Sequence, residues 1–161
     1  MKKTVCIALL TIFGIFSSKA QIQKVNQEVF GMDCAPCAYG LERGLKKMDG
    51  LKNVRVSLND GKAYIELSEN NSLSLGQIQE EVKNNGFSAK KAEVVVEGKL
   101  FNENGNFYLK TDTETYSIVN DSSNGISLKL KTGAVKLSGI VEDEEDKELS
   151  GNWKITVTEI L

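Results

Sequence analysis

The sequence predicts an α+β fold: a βαββαβ unit over residues 21–96 and a small all-β unit over 97–161, behind a leader at 1–20. Three observations carry this. Between 23 and 96 the apolar residues change from a period of two to a spacing of three or four and back, twice. From 97 onward short alternating runs are separated by turns, with no amphipathic helix. The first twenty residues run from positive charge through an apolar stretch to small residues. With 161 residues, 40% hydrophobic and 26% charged, the chain has the composition of a globular protein.

The leader comes first. Met1-Lys2-Lys3 precedes the apolar run Thr4–Phe16, and Ser17-Ser18-Lys19-Ala20 supplies small residues for cleavage after Ala20. The run is short for a membrane span. The expectation is a secreted, periplasmic chain with no direct membrane insertion after cleavage. Cys6 would leave with the leader, as would Lys2, Lys3 and Lys19. That leaves 17 basic against 22 acidic residues, a net charge of −5.

The first strand shows its period of two around Val25 and Val29. Ala38, Leu41, Leu45 and Met48 then mark one face of a helix. Pro36 fits only in the first turn of that helix, where its missing N–H is not needed. Val54, Val56 and Leu58 alternate outward, Asn59-Asp60-Gly61 turns the chain, and Ala63, Ile65 and Leu67 alternate back. Ser74 with Gln77 is a capping box, Leu73 with Ile78 a hydrophobic staple, and Leu75, Ile78 and Val82 the buried face of a second helix stopped at Asn85-Gly86. The last strand runs from about Phe87 to Val96, with a phase slip near Lys90-Lys91 that reads as a bulge. This order is the split βαβ, or ferredoxin-like, arrangement.

Beyond it, Asn102–Gly105 is a turn. Strands are expected at 107–109, 116–119, 134–141 and 153–158, with a loop at 121–125. Glycines within Val-x-Gly-x-Leu and Leu-x-Gly-x-Val pieces suggest sharply bent strands, so this half resembles a small OB-like barrel. No linker separates the halves. The strand through Ala92–Leu100 is continuous enough in pattern to run from one into the other.

Function classes narrow quickly. The chain has no His, which excludes a Ser-His-Asp triad, a Cys-His pair and a His-ligated zinc finger or haem. From Glu97 on, 12 acidic residues face 7 basic ones, so phosphate backbones would be repelled and no nucleic-acid partner is expected. No catalytic constellation is recognisable, and an enzyme is not expected. Glu142–Asp146 is a run of acids that reads as a solvated loop. Tyr39, Tyr64 and Tyr108 read as surface or rim aromatics, and Trp153 as a core residue.

The chemistry rests on Gly31-Met32-Asp33-Cys34-Ala35-Pro36-Cys37. It follows a strand and opens a helix, so Cys34 sits on a loop and Cys37 in a first turn. Helix N–H groups and their partial positive charge favour thiolate there. Two neighbouring thiolates with no crowding ligand set suit soft ions, Cu(I) and Hg(II) first. Met32 is placed as an inward packing plug that sets the loop shape.

With Ala38-Tyr39-Gly40-Leu41-Glu42 after it and Asn85-Gly86-Phe87 further on, this segment resembles the heavy-metal-associated domain over about residues 23–96. That family includes copper chaperones, amino-terminal domains of metal-pumping ATPases and the periplasmic mercury scavenger. The resemblance implies Cys34 and Cys37 as ligands of one soft ion, Cu(I) favoured. It also implies scavenging, buffering or delivery to a metal-transport membrane protein or another thiolate domain. Asp33 replaces the family's commoner Thr. It is either a third, oxygen ligand favouring Zn(II) or Cd(II), or the N-cap of the following helix. Phe87 occupies the family position that faces the metal, and equally suits a core residue opening a strand. Two rival readings of the cysteine pair stand beside this one: a thiol-disulfide redox protein and a structural disulfide.

Overall fold

The structure, a computed structural model, describes residues 19–119, 130–142 and 152–161. The leader up to residue 18 with Cys6, the loop at 121–125 and the acids at 143–146 lie outside the described residues. Ten elements follow in order: β1 (Ile22–Phe30), α1 (Ala35–Leu45), β2 (Leu51–Ser57), β3 (Lys62–Leu67), α2 (Leu75–Asn84), β4 (Ser88–Glu103), β5 (Asn106–Lys110), β6 (Thr115–Ile118), β7 (Gly133–Val141) and β8 (Asn152–Ile160). The first six are the expected βαββαβ unit: an antiparallel sheet in the order β2-β3-β1-β4 with two helices. Its core joins Val25, Val29, Ala63 and Ile65 of the strands to Leu41 and Leu45 of α1 and Leu75, Ile78 and Val82 of α2.

Strand β4 continues through residue 96, the expected junction of the halves, and extends to Glu103. Ala92–Val96 pair with β1 on one edge and with β7 on the other. The remaining strands then close a ring: β4 pairs β5, β5 pairs β6, β6 lies parallel to β8, and β8 and β7 return to β4. Leu100, Leu109, Tyr116, Leu137 and Ile155 are fully buried inside the described chain, and Trp153 is buried as expected.

Local chemistry explains the turns. The β4–β5 hairpin closes on Asn104-Gly105, both with positive φ (52° and 86°). That is the primed two-residue turn whose twist matches the flanking strands, and Asn-Gly is the pair that tolerates it. The phase slip is a bulge: register shifts between Gln27 and Val29, opposite Ala92 and Ala89. The buried Gln27 amide donates to the carbonyls of Lys90 (2.8 Å) and Lys91 (3.3 Å), and its own oxygen accepts from Gln79 Nε2 (3.2 Å). A glutamine in an otherwise apolar face thus satisfies carbonyls that the bulge turns out of the ladder.

Candidate functional site

Strand β1 ends at Phe30, paired with Ser88 at the start of β4. Gly31, at φ +87°, turns the chain off the sheet edge. Met32 drops back into the core at 6% exposure, the plug that the sequence suggests. Asp33, Ala35 and Pro36 are exposed, while Cys34 and Cys37 are half-buried, with Cys37 packed against the core. Pro36 lies in the first turn of α1.

Cys34 is the N-cap of α1. Its backbone is extended (φ −140°, ψ 150°), and its sulfur accepts a hydrogen bond from the Cys37 N–H at 3.2 Å. This corrects the reading of Asp33 as the cap. A cap accepts from the second or third helical N–H. Counting from Asp33, the third residue on is Pro36, which has no N–H to give. Counting from Cys34 it is Cys37, which does. Among the described residues no group of three or more His, Cys, Asp and Glu is arranged to hold a metal ion.

The two sulfurs are bonded to each other as a disulfide, with Cα atoms 5.1 Å apart. In this form neither is a thiolate. Two-electron reduction of the S–S bond would release two thiols already held one helix turn apart. Phe87 is half-buried and packs against the same core as Cys37. It follows Gly86 (φ +89°), where its N–H bonds the Val82 carbonyl at 3.3 Å.

Three features escaped sequence reasoning. The first is Phe30, 70% exposed, which flanks the cysteine loop with Tyr39, 64% exposed, on the other side. Tyr39 fits the surface role expected for it and lies under the Arg43 guanidinium at 5.9 Å. Glu42 fastens α1 to the sheet: its Oε2 accepts the Val56 N–H of β2 at 3.0 Å, and its Oε1 pairs with Lys46. The Lys46 hydrogen bond first, and the Val56 N–H second, hold the Glu42 carboxyl below its ordinary value. The third is Glu114. Carried on the β5–β6 turn and only 7% exposed, it accepts four hydrogen bonds: from the N–H groups of Leu75 (2.9 Å) and Gly76 (3.1 Å), the Tyr116 hydroxyl (2.8 Å) and Trp153 Nε1 (2.8 Å). No local pattern announces it, because three of its four partners are 38 or 39 residues away and only Tyr116 is near.

Residues 28–88 match the family model of the heavy-metal-associated domain. The match takes in the whole Gly31–Cys37 loop and both helices. A copper-transporting ATPase of Helicobacter pylori is 35% identical over 74 residues, which are 46% of this chain and 10% of that protein. The chain thus spans about a tenth of the length of the curated relatives it matches. Among solved structures, a copper-binding domain of the P-type ATPase HMA7 is 28% identical, covering 46% of this chain and 92% of that one (TM-score 0.38). The water-soluble region of the P-type ATPase CopA from Bacillus subtilis is 26% identical, covering 51% and 54% (TM-score 0.40).

Proposed function

We propose that this protein is an exported metal carrier in which reduced Cys34 and Cys37 bind one soft ion as thiolates. The observation that carries the reading is local. Two cysteines stand one helical turn apart at an exposed N-terminus, within a heavy-metal-associated domain. Cu(I), which is content with two sulfurs, is the first choice. The curated relatives being copper-transporting ATPases supports it. Zn(II) or Cd(II) with help from Asp33, and Hg(II), follow in that order. Transfer proceeds by sulfur exchange: an acceptor thiolate joins the ion before Cys34 or Cys37 leaves. The acceptor is a metal-transport membrane protein or a second thiolate domain. Export rests on the leader at 1–20 with cleavage after Ala20. For the second half, the ring order β4-β5-β6-β8-β7, with its parallel β6–β8 pair, supports an OB-like barrel.

The test is native mass spectrometry of the reduced chain 21–161 with Cu(I), Zn(II) and Hg(II) in competition, beside the Cys34→Ser, Cys37→Ser double variant. One ion per chain, lost in the variant, is expected. One observation favours a second reading: the pair closes as a disulfide. A protein that takes up no ion but reduces or oxidises substrate disulfides would replace the carrier with a thiol-disulfide redox protein.

A further inference from the structure

The Glu114 carboxylate stands where the two halves meet, and the donors around it come from both. Helix α2 begins with N–H groups that have no partner within the helix. Ser74 Oγ takes the Gln77 N–H (3.1 Å), and Gln77 Oε1 returns to the Ser74 N–H (2.9 Å). This capping box leaves the Leu75 and Gly76 N–H groups, and Glu114 accepts both, one on each oxygen. Its other contacts, Tyr116 and Trp153, belong to the barrel. Burial, and then Glu114 itself, push the Tyr116 hydroxyl well above its ordinary value, so it stays protonated and remains a donor.

The turn that carries Glu114 is itself fixed. Thr111 Oγ1 accepts the Glu114 N–H at 2.9 Å and donates to the Glu114 carbonyl at 3.1 Å, while the Thr111 N–H bonds that same carbonyl at 2.9 Å. Two more links cross the junction. β4 is shared by both halves, and the Asp112 N–H bonds the Ala20 carbonyl at 2.7 Å.

We propose that the barrel is a fixed brace of the metal domain, with Glu114 as the bolt that finishes α2 and makes the two halves one cooperative folding unit. A tethered, independent module would not bury a carboxylate against its neighbour's helix end. Burying a charge is tolerated only when it is fully hydrogen-bonded, and here the full set of four bonds exists only when both halves are folded together.

The experiment uses the full mature chain. Trp153, the sole tryptophan, reports the barrel, and helical circular dichroism reports the half that carries α1 and α2. In urea the two signals should give one coincident transition. Glu114→Ala should lower both midpoints together, with the unfolding constant raised roughly a hundredfold or more. If that variant does not fold, Glu114→Gln keeps the shape. Its amide oxygen can still face Gly76 and Trp153 and its NH₂ the Tyr116 oxygen, leaving only the Leu75 N–H without an acceptor. Both midpoints should then fall by a smaller, equal shift, and hydrogen exchange at Leu75 should speed up more than at Gln77. Separate transitions in the wild type, or a Glu114 variant that moves the tryptophan signal alone, would overturn the brace.

Discussion

Cys34 caps α1 in this structure and is a ligand in the proposed function, and a single substitution separates the two roles. As a cap it offers sulfur, a weak acceptor, to the Cys37 N–H at 3.2 Å. As the proposed ligand, once reduced, it would offer a thiolate. Serine at 34 keeps an atom to accept that N–H, and is among the best N-cap residues, but cannot replace the soft ligand. Alanine removes both. Replacing a good cap by Ala costs about 0.5–2 kcal/mol, and a sulfur cap belongs at the low end. In reduced protein, Cys34→Ser should therefore unfold within about 0.5 kcal/mol of the wild type. Cys34→Ala should lose roughly 0.5–1 kcal/mol, a drop of about 1–4 °C in Tm for a chain of this size. Both should lose Cu(I) affinity by more than the 10–100-fold that removal of an outer contact costs, read by competition with a chromogenic chelator. Reduced conditions are essential, since the closed disulfide would add its own constraint to the wild type alone. Wild-type copper affinity in Cys34→Ser would refute the ligand assignment. A large loss of stability in Cys34→Ser would refute the cap.

Two further outcomes can be read from the structure. A Cβ at Gly139 would lie 2.6 Å from Ile155 Cγ1 and 2.8 Å from the Thr156 carbonyl oxygen, which is backbone and cannot swing away. Gly139→Ala should cost about 2–3 kcal/mol by overpacking, measured by urea unfolding; a neutral result would mean that β7 and β8 are not this close. Acid should also weaken the fold. Lys62 first and Asn26 second hold the Glu93 carboxyl below its ordinary 4.5, as Lys46 and Val56 hold Glu42. Lowered carboxyls contribute stability that is present above the unfolded value and lost as pH falls through the folded one. The urea midpoint should therefore drop between pH 5 and 3. Both groups are near the surface, so the effect is only a few tenths of a kcal/mol each. A Glu42→Gln, Glu93→Gln double variant should flatten that slope, and an unchanged slope would assign it elsewhere.

Which of these features the sequence could announce follows from the range of the interactions. Ser74 with Gln77, Pro36 in a first turn and Asn104-Gly105 in a hairpin act within four residues, and each stands where the pattern places it. The bulge was legible because a slip of one residue in a period-two strand displaces every later side chain. The cysteine pair was legible because its spacing and its helix are contiguous. Asp33 misleads as a cap because residue preference favours Asp, while the donor that Asp would need is the nitrogen of Pro36. Gln27 and Glu114 could not be foreseen. Each is a polar residue inside the core, and three of its four side-chain hydrogen bonds go to partners that folding brings from 38 to 64 residues away.

The two helix N-termini of the metal domain meet the same electrostatic demand in opposite ways. A helix start presents N–H donors and a partial positive charge, and is satisfied by an anion. At α2 the anion is built in: the Glu114 carboxylate, buried and fully bonded by the barrel. At α1, among the described residues, the side-chain acceptor on the first turn is sulfur, on a loop whose Asp33, Ala35 and Pro36 are exposed. Strand β1 connects the two regions. Its start is tied to the barrel through the Gln21 carbonyl and the Glu97 N–H, and its far end leads into Gly31. Nine residues of strand put the cysteine loop roughly 27 Å from that tie. The barrel can therefore close one helix end permanently without covering the other. In the proposed carrier, reduction of the Cys34–Cys37 bond would then place new negative charge at the helix start that no carboxylate already fills, which favours the thiolates that a soft ion requires.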